Sequence, residues 1–220
     1  AAMAPNFAAL AQASWRFDPA EASPTPTAAL GDAPLDLDAF WADWGRAMFG
    51  GEAGAAAGRV LQQFDGRHVG LNALIGGGAR TTDAQISEYF APLRELEALR
   101  PRMQGVAHRE RFDYWLNLIQ ASHRRVRAWV LADQLTAKMR AVGALTDADR
   151  KRDLVREEVL PLRLELARTY EALIAAHVRG ARSPGDLGTI ASIESGSRTR
   201  IVGAHDADIA KILGAPLPAA

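Results

Sequence analysis

The segment from His108 to Asn117, HRERFDYWLN, is the densest cluster of polar and aromatic side chains in the sequence. Glu110 and Asp113 are three residues apart, so they share one face of a helix, and Asn117 extends that face by a further turn. A pair of carboxylates can act as acid and base in glycoside hydrolysis. The pattern therefore makes Glu110 and Asp113 candidate catalytic residues.

The same carboxylates have a structural interpretation. Negative side chains in the first turns of a helix are favoured by the helix dipole. Nearby arginines supply ordinary ion-pair partners, namely Arg109, Arg111 and Arg127. One helix face rarely supplies both sides of a substrate, so a small enzyme built on Glu110 and Asp113 ranks last among three hypotheses for this chain.

Other kinds of chemistry find little support in the residues. The chain has no cysteine, which excludes disulfides, thiolate metal sites and cysteine nucleophiles. No Glu-x-x-His pair occurs, as a dimetal helical bundle would require, and we predict neither a metal nor a cofactor. Four tryptophans could stack on sugar rings, but their helical spacing favours a place in the core: Trp41, Trp44, Trp115 and Trp129.

The elements that must position these residues are predicted to be helices. Proline and glycine clusters over 17–35 and the irregular stretch 66–81 indicate loops. Apolar residues at spacings of three and four predict helices with intervening turns. The expected helices are 5–16, 36–49, 52–64, 82–103, 107–142, 147–179, a short one near 186–195, and 205–213 after a loop.

Two long helices dominate this pattern. The segments 107–142 and 147–179 are joined by a short connection, which favours an antiparallel hairpin. Pro92 should kink or divide one helix and Pro161 should bend another. We therefore predict an all-α fold, an irregular helical bundle built on a long antiparallel helix hairpin.

Charge and hydropathy restrict the partners. Lys and Arg total 26 and Asp and Glu total 26, so a chain with no net charge is a poor candidate for general nucleic-acid binding. No apolar stretch is long enough to cross a bilayer, and we predict no membrane partner. The basic residues are almost all arginine, because Lys138, Lys151 and Lys211 are the only lysines.

Several stretches together resemble the helical C-terminal region of large microbial glycoside hydrolases of the α-glucuronidase type. They are APNFAALAQASWRF, LDAFWADWGRAMFGGEAG, RERFDYWLN and GDLGTIASIE. Such enzymes have a (β/α)8 barrel, from which a helix ending in Ala-x-Trp leads to an appended helical domain that starts with an Asp-x-Phe-Trp-like helix. Residues 13–15 and 38–41 match those two features.

The resemblance implies a division of the chain and a role for it. Residues 1–35 would be an exit helix and proline-rich linker from an upstream domain, and residues 36–220 a helical bundle domain. The catalytic carboxylates of such enzymes lie in the barrel, which is not within this all-helical pattern. The chain would then be an accessory domain, inactive alone, with the upstream barrel as its partner.

The resemblance also suggests which residues could border a substrate cleft. The stretches 66–81 and 108–117 would lie nearest to it, and their polar side chains are candidate substrate-binding residues: His68, Asn72, Arg109, Tyr114 and Asn117. Carbohydrate and a second copy of the chain stay open as further partners. A secreted or periplasmic location is slightly favoured for a bacterial hydrolase. The alternative hypothesis is a free-standing helical protein-interaction or scaffold module.

Overall fold

Helices make up most of the chain in the parts that a computed structural model describes, residues 36–65 and 82–218. No strand occurs within those two ranges, and the predicted all-α class is confirmed. The predicted exit helix and linker, and the loop 66–81, lie outside the described residues. The described residues divide into unit 1, residues 36–65 with 94–115, and unit 2, residues 82–93 with 116–218.

Unit 1 begins with two helices whose backbones touch. Helix α1, Leu37–Phe49, is capped by the Asp36 carboxylate, which accepts from the Ala39 N–H at 3.0 Å. Gly50 has a φ of 81°, which glycine adopts without strain, and ends α1 before α2, Gly51–Gln62. At the crossing, a β-carbon on Gly58 would lie 2.0 Å from the Trp41 carbonyl oxygen. Glycine is therefore required for this close approach.

Aromatic rings fill the core of unit 1. Trp44 makes edge-to-face contacts with Trp41, Phe49 and Trp115, with ring centroids 5.4–5.6 Å apart. Phe112 extends the set by stacking edge-to-face on Phe49 at 5.6 Å. All five rings are less than a tenth exposed. The core interpretation of Trp41, Trp44 and Trp115 is confirmed.

The predicted helix 82–103 is divided near Pro92. Thr82 and Gln85 form a reciprocal capping box at the start of α3, Asp83–Tyr89. Helix α4, Pro92–Leu99, begins at the proline, where a missing N–H costs no hydrogen bond, and a short 3₁₀ turn follows it.

The two long predicted helices are present, and the second is irregular. Helix α5 spans Val106–Ala144. Helix α6, Ala148–Leu154, continues through a π turn, Val155–Val159, into α7, Leu160–Gly180. Pro161 has no N–H to donate to Glu157, and its ring crowds that carbonyl. The Leu160 N–H bonds the carbonyl of Val155 instead, so the proline is accommodated by a π turn just before it.

Polar links join α5 to the α6–α7 segment within unit 2. Arg179 donates to the Asn117 side chain at 3.2 Å, Arg127 pairs with Glu165 at 2.9 Å, and Lys138 pairs with Glu158. Along α5 the paired positions rise from 117 to 138, while their partners fall from 179 to 158. This is the order that antiparallel neighbours produce. Apolar side chains from both segments form the core, including Leu131, Leu135, Val155, Leu166 and Leu173.

The C-terminal part of unit 2 is more helical than predicted. Helix α8 spans Pro184–Ile201, so the prediction of a short helix near 186–195 followed by a loop is wrong. Glycine and serine make α8 a weak helix by propensity, and tertiary contacts stabilise it. The buried Tyr170 hydroxyl donates to the Ile193 carbonyl at 2.7 Å, and Arg198 pairs with Glu171 and Glu194.

Helix α9, Asp206–Leu213, is held on α7 by an ion pair. Both oxygens of Asp206 accept from the guanidinium of Arg163, at 3.0 and 2.7 Å. The Arg163 side chain is only 12% exposed. Ile209, one turn further along α9, is fully buried in the core of unit 2.

We expect Gly58→Ala to lower the free energy of unfolding by about 2 kcal/mol, as overpacking does. The added methyl would press on the backbone of α1, which cannot move aside without disturbing the aromatic core. The measurement is urea unfolding followed by tryptophan fluorescence.

Gly196→Ala is the matched control, because Gly196 lies inside α8 and a β-carbon there meets nothing within 4 Å. That variant should be unchanged or stabilised by up to about 1 kcal/mol, as helix propensity predicts. Equal effects of the two substitutions would contradict the close crossing.

Candidate functional site

The two candidate catalytic carboxylates have different surroundings in unit 1. Arg100, in the 3₁₀ turn after α4, holds Asp113 with two hydrogen bonds, from Nε to Oδ1 at 2.7 Å and from Nη2 to Oδ2 at 3.0 Å. The Asp113 side chain is 24% exposed. Glu110 is exposed, and no other described residue forms an ion pair with it. The two carboxylates lie one turn apart on α5.

The ion pair with Arg100 gives Asp113 a structural role. A bidentate guanidinium–carboxylate pair occupies both carboxylate oxygens and fixes the turn against α5. This pairing raises the pKa of Arg100, chiefly through the hydrogen bond to Asp113. Protonation of Asp113 would weaken this pair, because a neutral carboxyl group attracts a guanidinium less strongly than a carboxylate does.

The candidate substrate-binding residues that the structure describes differ in exposure and in their contacts. Arg109 is exposed, and Tyr114 is partly buried with its ring edge-to-face on Trp115 at 6.4 Å. Asn117, in unit 2, is buried and accepts from Arg179. The other two candidates, His68 and Asn72, lie outside the described residues.

A cavity of about 570 Å³ in unit 1 was not predicted. Its walls include the glycine turn at Gly50 and Gly51 together with Arg102, Gln104 and His108. The His108 ring fills the space that a β-carbon on Gly50 would need, at 2.3 Å from Nδ1. Its Nδ1 lies 3.2 Å from the Gln104 carbonyl oxygen.

A second cavity, of about 530 Å³, lies in unit 2 between the end of α5, α6 and α9. We call it the lysine groove. Its apolar surface comes from Met139 and Ile212, with the buried Val142 beneath them, and its charged rim includes Lys151 and Lys211. The sequence has only three lysines and two of them border this groove, so the scarcity of lysine is the sequence feature that could have pointed to it.

His177 and Arg125 form a polar contact inside unit 2. The guanidinium Nη2 of Arg125 lies 3.4 Å from Nε2 of His177, and both side chains are partly buried. Burial lowers the pKa of His177, the charge of Arg125 lowers it further, and Asp186 partly opposes them. Burial also lowers the pKa of Arg125, against a smaller effect of Tyr170. The neutral imidazole is therefore the favoured form, able to accept from Arg125.

Metal-binding clusters and membrane-spanning helices are absent from the residues that the structure describes. No three His, Asp or Glu side chains there are grouped so that they could hold a metal ion. None of the helices in those ranges combines the length and the apolar character that crossing a membrane demands.

Comparison with known proteins does not assign the chain to a family. No protein-family model, curated protein or solved structure matches the chain.

We expect Asp113→Asn to destabilise unit 1 by at most about 1 kcal/mol, the range for partly exposed ion pairs, and the loss should shrink at high salt. Glu110→Gln is the matched control and should change stability by less than about 0.5 kcal/mol. Urea unfolding at low and high salt measures both. If Glu110→Gln proved the more damaging substitution, the structural assignment of Asp113 would be wrong.

Acidification should weaken the fold through His177. Because the folded-state pKa lies below the ordinary 6.5, the unfolded chain binds more protons as the pH falls through 6.5. The contribution of neutral His177 to the free energy of unfolding is therefore fully present above pH 6.5 and decreases as the pH falls below it. His177→Gln keeps an acceptor for Arg125 but does not titrate. Its urea midpoint should fall less than that of the wild type between about pH 7.5 and about pH 5.5. An identical fall in both proteins would contradict the assignment.

Proposed function

We propose that this chain is a helical accessory domain of a carbohydrate-active glycoside hydrolase and that its own residues do not cleave the glycosidic bond. The observation that carries the non-catalytic part is the bidentate hold of Arg100 on Asp113. Hydrolysis needs two carboxylates on opposite sides of the scissile bond. Here Asp113 is paired with Arg100, and Glu110 lies one turn away on the same helix and not on an opposing element.

The hydrolase part of the proposal rests on the sequence resemblance. The segment 38–41, which carries part of that resemblance, has structural contacts in unit 1. Asp38 accepts from the Gln62 side chain at 2.8 Å, which links the start of α1 to the end of α2. Phe40 and Trp41 are buried. Residues that build a helical core are what an appended, non-catalytic domain requires, and this supports the accessory role.

A second candidate function is a helical protein-interaction module. It is favoured by two exposed apolar side chains in unit 2, Val178 near the end of α7 and Leu187 near the start of α8. They are 55% and 60% exposed. Exposed apolar side chains are common singly, and they mark a binding surface where they form a contiguous patch.

The deciding experiment starts from the coding DNA upstream of the Ala1 codon. The chain is expressed alone and joined to whatever that DNA encodes, and both proteins are assayed on aryl glycosides and on uronic-acid oligosaccharides. We expect turnover by the longer protein only. Glu110→Gln in the longer protein should leave kcat unchanged.

Three outcomes would contradict the proposal. Turnover by the chain alone that is abolished by Glu110→Gln or Asp113→Asn would make it a small enzyme. An upstream region without the sequence pattern of a (β/α)8 barrel would contradict the assignment to a glycoside hydrolase. A start codon directly before Ala1, together with a discrete partner recovered through Val178 and Leu187, would favour the interaction module.

A further inference from the structure

We propose that the lysine groove of unit 2 binds a small amphipathic anion, specifically a free acyl carboxylate of medium chain length. The proposal is independent of the hydrolase assignment. It combines three observations: an apolar surface, a cationic rim and a volume suited to one small molecule.

The apolar surface comes from two helices. Met139, from the last turns of α5, and Ile212, from the last turn of α9, are partly exposed above the buried Val142. Gly143 lies beside them, and a β-carbon there would meet nothing within 4 Å, so there is open space above it. An alkyl chain in this space would cover partly exposed apolar side chains and gain the corresponding hydrophobic free energy.

The rim supplies positive charge. Lys151 on α6 and Lys211 on α9 flank the groove, and neither forms an ion pair with another described residue. Arg152 also borders it but is engaged by Asp149 at 2.8 Å. One carboxylate, Asp208, lies on the rim, so cations outnumber anions there by three to one. The two lysines are left to attract an anionic headgroup.

The volume of the groove and the ammonium groups on its rim indicate which class of ligand it binds. The groove is open to solvent, and its volume of about 530 Å³ falls in the range of small-molecule sites and is small for a docked partner helix. Ammonium groups on flexible stems act as point charges, suited to a compact carboxylate rather than to planar, bidentate recognition. In a chain that otherwise uses arginine, two of the three lysines border this one groove.

The third lysine provides a matched control. Lys138 is on α5, pairs with Glu158, and does not border the groove. Replacing it removes the same charge from the same unit without touching the proposed site.

The experiment is a titration with decanoate below its micelle concentration, observed through carbon-13-labelled methionine methyl groups. The chain has four methionines, and Met139 is the one at the groove. We expect saturable shifts of the Met139 signal, with Met48 and Met103 unmoved. Acetate, which has the charge but no chain, and decanol, which has the chain but no charge, should each bind at least tenfold more weakly.

Variants then test the two halves of the site. Lys151→Gln with Lys211→Gln should weaken decanoate binding at least tenfold, whereas Lys138→Gln should leave it unchanged. Gly143→Leu fills the open space and keeps every charge, and it should abolish the Met139 shift. Circular dichroism of each variant verifies the helical fold.

Several results would overturn the proposal. They are no saturable Met139 shift in the wild type, equal affinity for decanol and decanoate, and an equal loss of binding in Lys138→Gln and the double variant. Unchanged binding in a folded Gly143→Leu variant would overturn it as well. None of these results bears on the hydrolase assays, so the two proposals fail separately.

Discussion

The ion pair between Arg163 and Asp206 is the polar constraint that positions α9 within unit 2, where α9 also packs against α6 and the π turn. Asp206 is the first residue of α9, where a negative charge is also favoured by the helix dipole. Because the Arg163 side chain is nearly buried, loss of Asp206 would leave its positive charge without a carboxylate partner and with little access to water. The pair holds α9 on α7, which keeps Ile209 in the core and forms one wall of the lysine groove.

Local signals were sufficient for most helix boundaries. Asp36, Thr82 and Gly50 are at helix ends in the structure, because capping and positive φ are properties of a few adjacent residues. The length of α8 could not be read in this way. Its sequence is rich in glycine and serine, and the groups that stabilise it, Tyr170 and Glu171, lie on a different helix.

The candidate site was less predictable for a related reason. Spacing placed Glu110 and Asp113 on one helix, but nothing local reveals that Arg100 reaches Asp113 and not Glu110. Likewise Lys151 and Lys211 are sixty residues apart in the sequence and border the same groove only because α6 and α9 pack together. Residue type suggests what a side chain can do, and tertiary packing decides whether it is already engaged.

The π turn at Val155–Val159 has a consequence for the direction of the side chains on the two helices that flank it. A π turn is an α-helix that carries one surplus residue, and each α-helical residue advances the side-chain direction by roughly 100°. The faces of α6 and α7 are thus offset as a single-codon insertion would offset them. Removal of one residue would not by itself restore an unbroken α-helix, because Pro161 would still lack the N–H that the ladder needs.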